Sequence, residues 1–129
     1  MVNVAILGFG VVGSGVAEVL LANEAHIDQK AGDPIRLKYI LDVRDFPDSP
    51  FAGKVIHDFS VIENDPEVSI VVETIGGARA ALDFTRRALA AGKSVVTSNK
   101  ELVAEHGCEL LKLAAEKGVS YLFEASVGG

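Results

Sequence analysis

Residues 2–15 read VNVAILGFGVVGSG, and this stretch decides the fold. Val2–Leu7 is almost continuously apolar, the pattern of a central strand buried on both faces. Gly8, Phe9, Gly10, Val11, Val12 and Gly13 follow as a GxGxxG pattern, and then Val12, Val16, Val19, Leu20 and Asn23 recur at helical spacing, which predicts a helix over 11–25. The glycine pattern alone is a weak signal; placed between a buried strand and a helix it is a specific one. Gly8 permits the tight turn, Gly10 lets the backbone approach a pyrophosphate, and Gly13 lets helix and strand pack closely. The start of the helix adds N–H groups and a partial positive charge. A dinucleotide is the expected ligand.

Outward from that stretch, short apolar runs alternate with longer helical patterns. Strands are expected over 35–43, 54–59 (a short edge strand), 68–73, 94–97 and 120–124, and helices over 60–64, 78–91 and 98–117, the last with a break at His106-Gly107. Gly92 and Gly118 mark helix stops, and Gly32-Asp33-Pro34 and Asp65-Pro66 mark breaks. Six strands joined by helical crossovers define an α/β fold with a doubly wound parallel sheet, the Rossmann-type dinucleotide-binding architecture, in one domain over 1–129.

Composition narrows the function classes. The 129 residues are 49% hydrophobic with 1 Cys, enough apolar material for a core without disulfide staples. A formal net charge of −6 offers nucleic acid or an anionic membrane no electrostatic attraction, so neither is an expected partner. Arg86-Arg87, the one basic doublet, reads as a solvated helix face. No apolar run reaches the length of a membrane span, and a cytoplasmic location is expected, with Cys108 a buried thiol. The three His residues and Cys108 lack the spacing of a zinc site.

Eight of the 13 glycines fall just past the ends of the strands at 2–7, 68–73 and 120–124, the edge where open α/β sheets bind ligands. Near the end of the second strand stand Asp42, Arg44 and Asp45. An acid there takes the ribose 2′-hydroxyl of NAD and an arginine the 2′-phosphate of NADP, so the choice between the two stays open. Past the strand at 94–97, Ser98 and Glu101 read as a capping box. Lys100 does not fit that account, because a cation in the first turn opposes the helix dipole by about 0.3–1 kcal/mol. A ligand at the strand ends would offset the cost.

Together GFGVVGSG (8–15), VRD (43–45), ETIGG (73–77), VVTSNK (95–100) with ELVA (101–104), and FEASVGG (123–129) resemble homoserine dehydrogenase. The resemblance runs the length of the chain, and VVTSNK and EASVGG are far more specific than the glycine pattern. It implies NAD(P)-dependent interconversion of L-aspartate 4-semialdehyde and L-homoserine, a step of threonine and methionine biosynthesis. By the same resemblance Phe9 to Gly13 hold the pyrophosphate, Arg44 meets the adenosine phosphate, Thr74 lines the nicotinamide side, and Ser98 and Lys100 contact the cofactor, Lys100 near the reacting centre. Glu124, Val127 and Gly129 look like the start of a loop that binds a monovalent cation such as Na+ through main-chain carbonyls. The family's catalytic lysine and the acids that bind the substrate amine belong to a second domain beyond residue 129, as do most of its dimer contacts. The chain is therefore expected to be the cofactor half of a homodimeric enzyme, inactive alone. Two other readings stay open: the cofactor domain of another small-aldehyde or amino-acid dehydrogenase, and a non-enzymatic NAD(P) sensor.

Overall fold

The structure is a computed structural model that describes residues 2–29, 35–76 and 79–123, with the backbone only for 23–29. Its elements run β1 (Val2–Leu7), α1 (Val11–Gln29), β2 (Ile35–Leu41), a 3-10 turn (Ala52–Lys54), β3 (Val55–Ile56), α2 (Ser60–Glu63), β4 (Val68–Glu73), α3 (Arg79–Ala90), β5 (Ser94–Thr97), α4 (Lys100–Lys117) and β6 (Tyr121–Phe123). The strands form one parallel sheet in the order β3-β2-β1-β4-β5-β6. From β1 the chain winds outward to β3, then crosses back to β4 on the other side of β1. The C-terminal ends of β1 and β4 thus form the switch point where such sheets bind ligands.

Alternation along the strands distributes the core between two faces. Ala5, Leu7 and Val71 point to the face covered by α2, α3 and α4, where they meet Phe59, Ile62, Leu89, Leu102 and Leu110. Ile6 and Ile40 point to the opposite face and pack with Ala17 of α1, Phe9 and Phe51. Ala17 is fully buried with Val16 and Leu20 packed beside it, whereas Val19 is solvent-exposed, which fixes the face that α1 turns to the sheet.

Several expectations need correction. β2 ends at Leu41, and Val43 projects into solvent beyond it. The edge strand shrinks to two residues behind the 3-10 turn. α4 runs unbroken through His106-Gly107, because Leu102, Gly107, Leu110 and Ala114 share one buried face that holds both halves to the sheet; a mid-helix glycine costs only about 1 kcal/mol against alanine. Cys108 on that helix is exposed. Arg86 and Arg87 do more than face solvent: Arg86 bridges to Glu109 of α4 at 2.6 Å, and Arg87 bridges to Glu63 of α2 at 2.7 Å while lying over the Phe59 ring.

A polar knot fixes the crossover into β4. Asp65 accepts from Lys38 Nζ at 2.6 Å and from the Tyr39 hydroxyl at 2.8 Å. The buried ammonium of Lys93, lowered in pKa by desolvation, donates to the carbonyls of Asp65 and Val68. The hydrogen bond from Lys38, helped by that from Tyr39, holds the Asp65 carboxyl at about 2, below its ordinary 3.8. A carboxyl depressed in the folded state contributes stability that is present above its unfolded pKa and lost as pH falls through the folded one. Acid unfolding should therefore steepen between about pH 4 and pH 2, and Asp65→Asn should remove that part of the slope; an Asp65→Asn protein whose acid profile overlays the parent's would contradict the assignment.

Candidate cofactor site

The glycine turn is held by backbone geometry at its centre. Gly8 has φ +90°, a conformation open to glycine at little cost, and its N–H donates to Leu41 O at 2.7 Å, tying the turn to β2. Gly13, in the first turn of α1, comes so close that a Cβ there would lie 1.9 Å from Gly8 O. Thr74, just past β4, donates its hydroxyl to Leu7 O and Gly8 O at 2.9 and 2.8 Å, closing the switch point from the other side. The first turn of α1 carries no acid, so nothing in it neutralises the positive end of the helix dipole.

Phe9 points inward. Its ring is buried edge-on against Phe46 (4.9 Å) and Phe51 (5.8 Å), and its N–H donates to Asp42 Oδ2 at 2.8 Å. The same carboxylate accepts from Arg44 N, Nε and Nη2 at 2.9–3.1 Å, and the Arg44 guanidinium lies over the Phe46 ring. These bonds, the Arg44 side chain first, hold the Asp42 carboxyl far below the usual carboxylate range. His57 completes the rim, with Nδ1 2.7 Å from Asp42 O and Nε2 2.8 Å from Asp45 Oδ1. Both partners are acceptors, so this setting favours the protonated ring, and the contacts to Asp42 and Asp45 raise its pKa.

Between these groups and the β4 end opens a cleft of about 460 Å³ whose walls include Gly8, Gly10, Asp42, Arg44, His57 and Thr74. Phe9 also lines it, whereas Val11, Val12 and Gly13 lie behind it in the first turn of α1, with Val11 almost wholly exposed.

The second half of the edge is the turn from β5 into α4. Its N-cap is Asn99, not Ser98: Asn99 Oδ1 accepts from Leu102 N at 2.9 Å, because the helix begins one residue later than the capping-box reading requires. Ser98 instead donates its N–H to Glu73 O at 3.1 Å. Lys100 is the exposed first residue of α4, beside the cleft and not in its wall. Asn99 Nδ2 reaches across to Ile75 O at 3.0 Å, joining the β5–α4 turn to the β4–α3 turn. Glu124, Val127 and Gly129, the expected cation ligands, lie outside the described residues.

Three features escaped the sequence. The anchoring of Phe9 by Asp42 and the two-acceptor setting of His57 are long-range contacts without a spacing rule. Glu73 had a signal, a carboxylate ending the apolar run VSIVV, and the structure buries it completely.

A parallel 3-2-1-4-5-6 sheet with a glycine turn feeding a helix N-terminus at its switch point defines a Rossmann-type NAD(P)-binding domain. Residues 8–124 match the family described as "Homoserine dehydrogenase, NAD binding domain", and the chain belongs to that family. It is 40% identical over 129 residues to the homoserine dehydrogenase of Pseudomonas aeruginosa and 38% identical over 133 residues to that of Bacillus subtilis. Each alignment covers 99% of this chain and 30% of the relative, so the chain spans about a third of their length. The crystal structure of Staphylococcus aureus homoserine dehydrogenase superposes with a TM-score of 0.87 at 38% identity, over 97% of this chain and 32% of that one.

The Gly13–Gly8 approach gives a direct test. Gly13→Ala should destabilise the chain by about 1–3 kcal/mol, because the nearest contact, Gly8 O, is a backbone atom and cannot rotate away. Denaturant unfolding with an unchanged midpoint would show that α1 does not depend on this contact.

Proposed function

We propose that the chain is the NADP(H)-binding part of an oxidoreductase that interconverts L-aspartate 4-semialdehyde and L-homoserine. The observation that carries the reading is the placement of the Thr97–Lys100 turn on the same sheet edge as the Gly8–Gly13 turn, two strands along from it. When bound, the cofactor supplies a hydride to the aldehyde carbon, and a proton must reach the oxygen to give the alcohol; the reverse reaction returns both. The chain's own residues bind and orient. Gly10, Val11, Val12 and Gly13 present backbone N–H groups and the α1 dipole to the pyrophosphate, while Gly8 and Phe9, whose N–H groups are donated to Leu41 O and Asp42, hold the turn that cradles it. Arg44 meets the adenosine 2′-phosphate, which makes NADP the favoured form over NAD. Thr74 and Ser98 line the nicotinamide side, and Lys100 sets a positive charge at the rim where the reacting oxygen approaches.

In this reading the groups that hold the substrate amine and deliver the proton come from the part of the relatives' length that this chain does not span. A homodimer, a cytoplasmic location, a place in threonine and methionine synthesis, and a Na+ site at Glu124, Val127 and Gly129 belong to the same proposal.

Two measurements test it. In an NADPH-oxidation assay with aspartate semialdehyde the 129-residue chain should bind NADPH without turning over, and robust turnover would refute the division of labour. Arg44→Ala should weaken NADPH roughly tenfold, the scale of one charge-assisted contact, and NADH far less; equal losses in a fluorescence titration would mean that Arg44 does not read the phosphate.

A further inference from the structure

Glu73, the last residue of β4, is fully buried and has no part in the reading above. Its Oε2 accepts from Ile75 N at 2.7 Å, and its Oε1 accepts from Thr97 Oγ1 at 2.6 Å. Thr97 Oγ1 itself accepts from Asn99 N at 3.0 Å, which leaves the hydroxyl proton for Glu73. Both carboxylate oxygens therefore act as acceptors, the arrangement of an anion. Its main-chain carbonyl takes the N–H of Ser98. The side chain thus sits between the turns 74–76 and 98–100, under the end of the cleft lined by Thr74, Ile75 and Gly76.

Burial pushes the Glu73 carboxyl up, and the hydrogen bonds from Thr97, Ile75 and Asn99 pull it back. Among the described residues no Lys, Arg or His forms an ion pair with it. The Tyr121 hydroxyl on β6 feels its charge and is pushed up to about 12 mainly by its own burial; it lies near Thr97 without a well-formed hydrogen bond. A buried anion without a counter-ion costs several kcal/mol. The hydrogen bonds from Ile75 N and Thr97 satisfy the carboxylate oxygens but supply no counter-charge, and a cationic ring bound above would supply one.

We infer that Glu73 is a positioning residue that sets a fixed negative charge beneath the nicotinamide end and favours the oxidised, positively charged ring over the reduced, neutral one. The inference rests on the NAD(P) reading of the cleft. Two effects of the side chain separate by substitution. Glu73→Gln keeps the length and the acceptor for Ile75 but removes the charge. Thr97→Val keeps the charge but cuts the strut to Asn99.

The test is equilibrium titration of the protein with NADPH, followed by its displacement with NADP+, giving the ratio of the two affinities. Glu73→Gln should shift that ratio toward NADPH by roughly three- to tenfold, the scale of one charge acting through protein at an effective dielectric near 20. Thr97→Val should weaken both forms together and leave the ratio unchanged. Should the amide not be tolerated, Glu73→Met, apolar and of similar length, is expected to shift the ratio the same way. An unaltered ratio in the charge-free variants, or the same shift in Thr97→Val, overturns the inference and leaves Glu73 a strut. Failure of either cofactor to bind the unsubstituted protein would instead remove the reading on which it rests.

Discussion

The close approach of Gly13 to the Gly8 carbonyl is the constraint on which the rest of the site depends. It brings the first turn of α1 against the turn that leaves β1, so the helix N-terminus opens at the sheet edge instead of behind it. Three ties then hold that turn from two neighbouring strands: Gly8 N to Leu41 O and Phe9 N to the Asp42 carboxylate at the end of β2, and Thr74 to Leu7 O and Gly8 O from the end of β4. Each uses a backbone group of the turn. The backbone N–H groups of the following residues can therefore point outward without leaving the turn itself unsatisfied.

Along the edge, charge is arranged unevenly. At the β2 end the carboxylates of Asp42 and Asp45 are met by Arg44 and by the His57 ring, so the donors of the rim are already oriented. Under the β4–β5 end lies the buried carboxyl of Glu73, which accepts from Ile75 N and the Thr97 hydroxyl. A dinucleotide laid across the edge places its adenosine ribose, phosphorylated in NADP, at one end, the pyrophosphate in the middle and the reactive ring at the other end. The uneven arrangement matches that polarity, whereas a non-reactive phosphate ligand would need only the first half.

How much was legible follows from the range of each interaction. The pattern at 2–15 specified strand, turn and helix because local sterics and burial act over a few residues, and the boundaries of β4 and β5 agree with the structure for the same reason. The helix over 98–117 was misread twice. Gly107 looked like a break because propensity is local, but burial of Leu102 and Leu110 on one face overrides it. Ser98 looked like the cap because Ser and Asn are near-equal caps, and the choice was made by the Thr97 hydroxyl, which accepts the Asn99 N–H and depends on Glu73, 24 residues earlier. The Asp42–Phe9 tie, with a separation of 33 residues, follows no local rule at all.

That tie also bears on how Arg44 would meet the phosphate proposed for it. The guanidinium has five N–H donors, and Asp42 takes Nε and one hydrogen of Nη2. Nη1 and the second Nη2 hydrogen remain for a ligand, so Arg44 need not leave Asp42 to bind one. Stacked on Phe46 and held by Asp42, the side chain keeps a single orientation, and little rotamer freedom is lost when a phosphate arrives. The acid that might have taken a ribose hydroxyl is instead occupied in aiming the arginine. In this geometry Asp42 and Arg44 act as one unit rather than as rival determinants of the two cofactors, and the unit faces the cleft with its cationic side.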